Sequence, residues 1–317
     1  MITESPTLVV ESFWNTMPVR TEVVMGTLVT IQVVRAEQPQ AVNAAIDRAF
    51  SWFHEIEQRC TRFRSTSELM QLTARVGEAV PVSSILFEAV RFALMAAEET
   101  DGAFDPTVGS RMAARGFNRE HRTGHVAQNP AADDSGSFRD VVVDQAQRTI
   151  TLTRRLTLDL GAVAKGLAVD AAARELQPFQ DFAIDAGGDL YLGGVNDRGE
   201  PWSVGIRHPR RDGELIDSLR VSNQAVCTSG DYERVMSGDG ATGEHHILDP
   251  HTGSSPQSIA SATVVASGAM LADALATAVF VIGPERGIDL LARMGVAGLI
   301  ITPELERFET GELSRAA

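Results

Sequence analysis

Between Ser261 and Val281 the apolar residues change period, and no other feature constrains the fold of this chain as tightly. Ser261 to Ala266 is a β-branched run of strand character. Met270, Leu271, Ala274, Leu275, Ala278 and Val279 then recur as they do along one side of a helix. Upstream, Ala225 to Gly253 is crowded with small residues, hydroxyls, histidines and carboxylates where a buried strand would be apolar, a composition suited to a polar ligand. On the helix, Asp273 and Thr277 are four residues apart and share a face. A carboxylate and a hydroxyl stacked in this way can hold a hard cation through oxygen. An Asp in a first helical turn also serves simply to meet the positive end of the helix dipole, so the pair alone leaves both readings open.

A chain of 317 residues with 44% hydrophobic content can bury a substantial core. Its formal net charge of -14 opposes nucleic acid and anionic membrane as general partners. An anionic ligand would therefore need a cation, a lysine or backbone N–H groups at the point of contact. Cys60 and Cys227 are too few for a disulfide framework or a thiolate metal site, and reduced thiols in a cytoplasmic setting are the expectation. The first twenty residues show neither a basic start followed by an apolar run nor a cysteine for a lipid anchor. A trimmed sequence would leave an exported or periplasmic address open. No segment is apolar for long enough to span a bilayer.

Glu22 to Val34 reads as one strand, with Gly26 marking a bulge or a close backbone approach. Gln40 to Gln58 has helical spacing, and Ser83 or Ser84 can cap a second helix that Asp101-Gly102 stops near Thr100. Gly102 to Gly109 follows as a rigid irregular loop holding Asp105. Asn118 to Ser137 reads as a surface loop, and Asp140 to Val143 with Thr149 to Thr153 as a hairpin. Leu156 to Leu160 should be a strand feeding Gly161 and a helix through about Leu176, with Lys165 near its start, a plausible anion site. Further strands are expected at Phe182 to Asp185, Leu190 to Leu192, Trp202 to Ile206 and Asp217 to Val221. A helix over Ile288 to Met294 leads to a closing strand at Val296 to Thr302. Thr228-Ser229-Gly230-Asp231 groups hydroxyls and a glycine suited to phosphate. Neither a P-loop nor a GxGxxG follows any strand, and the irregular alternation favours α+β over a doubly wound sheet.

Seven of these stretches, in this order, resemble the ApbE-type FAD:protein FMN transferases. They are Met25-Gly26-Thr27, GAFDPTVG at Gly102 to Gly109, LDLGAVAKGLAVD at Leu158 to Asp170, DAGGDL at Asp185 to Leu190, TSGDYER at Thr228 to Arg234, HHILDPHTG at His245 to Gly253, and ADALATA at Ala272 to Ala278. The resemblance implies mixed or antiparallel sheets flanked by helices, in two interleaved lobes with an FAD cleft between them. Residues 1–20 would be an extension, 21–303 the transferase domain and 304–317 a tail. It further implies FAD as donor, Mg²⁺ as cofactor, and a threonine of an acceptor flavoprotein as the site of attachment; a homodimer stays open. The metal residues carried over are Asp273, Thr277 and the carbonyl of Ala162. The flavin nucleotide residues would be Met25, Phe63, Ala103, Phe104, Asp105, Asp159, Lys165 and Ile247, with Ser229 and Gly230 as phosphate donors. Phe63 stands where many relatives have tyrosine, so ring stacking remains while a hydroxyl is lost.

The implied reaction is attack at the flavin-side phosphorus with AMP leaving, where an acidic protein needs a metal to stabilise phosphoryl charge and Lys165 adds a point charge. His246 is the expected proton acceptor, with its neighbour His245 the residue it could be confused with and Asp249 or Asp231 as substitutes. Two other readings stay open. One is an FAD pyrophosphatase, in which water replaces the acceptor hydroxyl; the other is a non-catalytic FAD-binding protein.

Overall fold

The computed structural model describes residues 17–35, 38–119, 124, 126–127, 136–233 and 245–315. Arg234 and most of the polar stretch read as a surface loop between Asn118 and Ser137 lie outside the described residues.

The chain opens on β1 (Val19–Val24) and β2 (Thr27–Val33), which pair antiparallel through Val24 and Thr27. The single strand expected from Glu22 to Val34 is thus a hairpin. Met25 (φ 54°) and Gly26 (φ 75°) are both left-handed, the signature of a two-residue turn matched to strand twist. Helix α1 (Pro39–Cys60) starts with proline in its first turn and buries Val42, Ile46, Phe50, Phe53 and Ile56 along one side. Helix α2 (Glu68–Thr73), which the sequence reading did not anticipate, is capped by Ser67. After the short β3 (Val80–Pro81), Ser83 caps α3 (Ser84–Glu99) by accepting from the Leu86 amide at 3.2 Å. Asp101 and Gly102, both at positive φ, end it as expected.

A second unanticipated helix, α4 (Gly109–Ala114), follows the irregular loop. The hairpin expected next is present as β4 (Val141–Asp144) and β5 (Thr149–Leu152), and β3 joins it in the order β3-β5-β4. Leu156 to Leu160 is not a strand. Thr157 makes one bridge to Val108, and the Gly109 and Asp159 amides donate to Thr157 and Pro106 carbonyls at 3.1 and 2.7 Å. Pro106 cannot donate to a ladder, so this buried segment zips onto the Gly102 to Gly109 loop instead of joining a sheet.

Helix α5 (Gly161–Leu176) is followed by β6 (Phe182–Ala186) and β7 (Asp189–Gly193), joined through Gly187 and Gly188 at positive φ. Strands β8 (Trp202–Arg207) and β9 (Leu215–Val221) pair with each other, and β10 (Gln224–Gly230) and β11 (Ser261–Ala266) follow. Then come α6 (Ala269–Ile282), α7 (Pro284–Arg293), β12 (Ala297–Ile301) and β13 (Arg307–Thr310). The segment expected as the closing strand, β12, is therefore not the last, because β13 pairs onto its outer edge.

Among the described residues, eight strands form one sheet in the order β1-β2-β6-β7-β10-β11-β12-β13, every neighbouring pair antiparallel. Its faces are covered differently, as an α+β architecture requires. Val29, Ile31, Ile184, Cys227 and Val264 pack under α1, α5 and α6 in the main core, which continues without a break into Ile150 and Leu152 of the smaller sheet. Leu190, Leu192, Val226, Val265, Leu299 and Ile301 pack on the opposite side against Trp202, Val204, Leu219 and Val221 of the β8–β9 hairpin. The smaller sheet is inserted in sequence between α1 and α5, which makes the two parts interleaved. No helix among the described residues is long and apolar enough to cross a membrane.

Candidate active site

Strand parity decides which side chains reach the layer between sheet and helices. On β7, Leu190 and Leu192 face the β8–β9 hairpin, so Asp189 faces the helices. On β10, Val226 faces the hairpin, so Cys227 and Ser229 face the helices. Asp189 is buried, and its Oδ2 is ion-paired with Nζ of Lys165 on α5. Helix α6 brings buried Asp273 beside this pair, and the Cys227 thiol donates to the Ala269 carbonyl at its start, 3.6 Å away.

Burial pushes the Asp273 carboxyl well above the usual carboxylate range; the charge on Asp189 adds to this and Lys165 opposes it. Burial by itself disfavours the Lys165 ammonium, but Asp189 and Asp273 outweigh it and hold the amine charged, above an ordinary lysine. Burial, then the same two carboxylates, pushes the Cys227 thiol up, so that it is a neutral packing group. Two carboxylates thus face one ammonium, and Oδ2 of Asp273 is buried with no hydrogen-bond partner among the described residues. Leaving such an oxygen unsatisfied costs about 1–3 kcal/mol, and more when it is ionised.

A divalent cation fits that deficit. Thr277 lies one helical turn beyond Asp273 on the same face, and Ala162 lies in the first turn of α5, three residues before Lys165 and on its side. Among the described residues no three His, Cys, Asp or Glu side chains converge as a metal cluster. The available donors are one carboxylate, one hydroxyl and one carbonyl, a hard oxygen set of the kind that leaves Mg²⁺ several waters or substrate oxygens.

A second group gathers where α5 begins. Asp159 accepts from the Gly161 amide, the first of α5, at 2.8 Å, and its Oδ2 is ion-paired with Nε of buried Arg62. The same guanidinium donates to the Phe117 carbonyl and lies 4.4 Å from the centroid of the Phe63 ring. Ala103 and Phe104 are buried. Asp105 accepts from the Thr107 amide (2.8 Å), the Thr107 hydroxyl (2.7 Å) and the Phe138 amide (3.1 Å), so its carboxylate organises the loop that holds it.

The remaining expected residues are spread between these groups and the core. Ile247 is buried, and Met25 packs against the main core from the β1–β2 turn. Ser229 is buried, and Gly230 leaves room for the Tyr232 ring, which a Cβ there would meet at 2.6 Å. His246 Nδ1 is 3.2 Å from the Glu233 carbonyl, and the charge of Glu233 reaches Asp273, which links this loop to the carboxylate cluster. Asp249 is engaged by its own loop, accepting from the His251 amide at 2.8 Å and the Thr252 hydroxyl at 2.9 Å. Asp231 is held bidentate by Arg210 at 2.8 and 2.7 Å.

Sequence reasoning does not single out three neighbours of the candidate site. Asp189 lies in the DAGGDL stretch, but its direction follows only from the alternation of Leu190 and Leu192. Arg62 is distinguishable from Arg64 only by burial, 4% exposed for Arg62 against a half-buried Arg64. Asp170 carried no role, although its position at the end of the α5 motif places it against α6.

The chain has relatives among known proteins. The ApbE family model matches residues 25–300. A relative from Treponema pallidum named FAD:protein FMN transferase is 34% identical over 310 residues, covering 90% of this chain and 84% of its own. One of the same name from Salmonella typhimurium is 30% identical over 303 residues, covering 90% and 84%. Among solved structures, the ApbE protein of Thermotoga maritima superposes with a TM-score of 0.81 at 28% identity, over 94% of this chain and 97% of that one. The flavin transferase ApbE of Vibrio cholerae superposes at 0.77 and 26% identity, over 94% and 97%. With sequence and fold matched over nearly its whole length, the chain belongs to the ApbE family.

Proposed function

We propose that this chain transfers FMN from FAD to a threonine hydroxyl of an acceptor flavoprotein, releasing AMP, with Mg²⁺ as its resident cation. The activity follows the name its relatives share. The observation that carries the reading to this chain is the buried, unpartnered Asp273 oxygen beside the Lys165–Asp189 ion pair. Asp273, Thr277 and the Ala162 carbonyl would hold the cation, which when bound supplies electrophilic stabilisation of phosphoryl oxygens.

In the reaction the acceptor oxygen forms a bond to the flavin-side phosphorus, the bridging P–O bond to AMP breaks, and the hydroxyl proton must be taken up. Lys165 supplies a fixed positive charge to the phosphoryl oxygens, and its raised pKa keeps it an ammonium throughout the neutral range. Asp189 orients that ammonium through their ion pair. His246 faces the Glu233 carbonyl with Nδ1, so Nδ1 carries the ring proton and Nε2 the lone pair that proton uptake requires. The Asp249 and Asp231 carboxylates, engaged by their loop and by Arg210, are less suited to that role. Arg62, Phe63 and Asp159 form a braced wall at the start of α5 against which a flavin nucleotide can lie.

Incubation with FAD and Mg²⁺, with and without a threonine-containing acceptor peptide, tests the proposal. In-gel flavin fluorescence on the acceptor is expected. Replacement of Asp273 by Ala should lower the yield at least a hundredfold, since the cation loses its only carboxylate among these donors. Free FMN and AMP alone would favour the pyrophosphatase reading, and intact, stoichiometrically bound FAD a storage protein. Full flavinylation by the Asp273→Ala variant would overturn the metal assignment.

A further inference from the structure

We propose that Asp170 is a positioning residue for the cation site, fixing the register of the two helices that share its ligands. The inference rests on the assignment of Asp273, Thr277 and Ala162 to a divalent cation. Those donors are split between helices: Ala162, with Lys165, is on α5, and Asp273 and Thr277 are on α6. Their spacing is therefore only as well defined as the packing of one helix on the other.

Helix α6 receives no side-chain cap from its own preceding residue, Gly268. Its first two amides, those of Ala269 and Met270, instead donate to Oδ1 and Oδ2 of Asp170 at 2.6 and 3.1 Å. A serine or aspartate at 268 could accept from the Met270 or Leu271 amide but would leave that of Ala269 and tie α6 to nothing beyond itself. Glycine there leaves the space that Asp170 needs, since a Cβ at Gly268 would lie 3.0 Å from its Oδ2.

Four residues earlier on the same face of α5, Gly166 lets the helix backbones touch. A Cβ at that position would stand 2.4 Å from Cα of Met270. The close contact sets how near the helices lie, but apolar packing is non-directional and defines their register less sharply. A carboxylate spanning two successive amides fixes that register. Asp273 lies one turn beyond the clamped residues, so a shift of the first turn of α6 moves its carboxylate directly.

The test is Mn²⁺ binding to the full chain without FAD, read from the loss of the free Mn²⁺ electron paramagnetic resonance signal, alongside thermal melts. Wild type should bind, and Asp273→Ala should not. Asp170→Ala should raise the Mn²⁺ dissociation constant roughly tenfold or more, the range seen when groups that orient metal ligands are removed. Asp170→Asn should fall between, because its amide oxygen still accepts one N–H while its NH₂ confronts the other; this near-isosteric variant keeps the test intact if the alanine variant folds poorly. Raising Mn²⁺ should restore most of the turnover of Asp170→Asn, which a general loss of structure would not allow. Wild-type Mn²⁺ affinity in both Asp170 variants, with Asp273→Ala silent, would overturn the inference and leave Asp170 an ordinary cap. Absence of binding in wild type would overturn the cation reading itself, and the inference with it.

Discussion

His245 and His246 are adjacent in sequence and opposite in circumstance. His245 is buried edge-on against Phe280, ring centroids 5.3 Å apart, with Nε2 donating to the Pro256 carbonyl at 2.9 Å. Burial lowers its pKa below the ordinary histidine value. The unfolded chain therefore binds more protons here than the folded one, so this contribution to stability is present above about pH 6.5 and is lost as the pH falls. Melting temperature should drop more between pH 8 and pH 5.5 for wild type than for His245→Gln; equal drops would contradict the assignment. The sequence showed two histidines in one motif but not which was inside, because alternation along an extended segment settles relative facing and not which face is core. Asp273 and Thr277 were legible as a pair because four-residue spacing on a helix fixes their shared face. Asp189 and Arg62 were not, since their importance lies in partners on other elements: Lys165 for one, Asp159 for the other.

Long periodic elements were readable and short ones were not. Helices α1, α3 and α6 each span enough turns for a period of 3.6 to repeat, whereas α2 and α4, six residues each, are shorter than two turns. The β1–β2 turn reads in sequence as one strand with a bulge or a close backbone approach at Gly26, because Met25 is an unusual left-handed residue and both flanks are strand formers. The Leu156 to Leu160 segment is apolar enough for a strand, yet its hydrogen bonds go to a loop. The α5–α6 contact, in contrast, is governed by one residue type that sequence shows plainly. Gly166→Ala should force the helices apart and destabilise the protein by about 1–3 kcal/mol, the usual cost of overpacking. Thermal or urea denaturation checks this, and an unchanged midpoint would show that the helices can part without strain.

At the scale of the molecule, the sheet separates chemistry from support. Helices and the site occupy one face, and the β8–β9 hairpin closes the other with Trp202, whose indole N–H donates to the Gly193 carbonyl at 2.8 Å. Trp202→Ala should cost about 3–5 kcal/mol of stability while leaving the turnover of the folded fraction near wild type. Urea titration and activity per folded molecule test both halves of that statement. The α+β class and the order of motifs were legible in the sequence; the eight-stranded antiparallel order was not, because pairing partners depend on topology that periodicity does not encode. The central claim, that side chains from β7, α5 and α6 meet to move FMN from FAD onto a protein hydroxyl, is tested most directly by peptide mass spectrometry of an acceptor flavoprotein incubated with FAD, Mg²⁺ and this chain. One FMN on one threonine, absent when Asp273 is replaced by Ala, is the predicted result. An unmodified acceptor in the presence of wild-type protein and consumed FAD would contradict it.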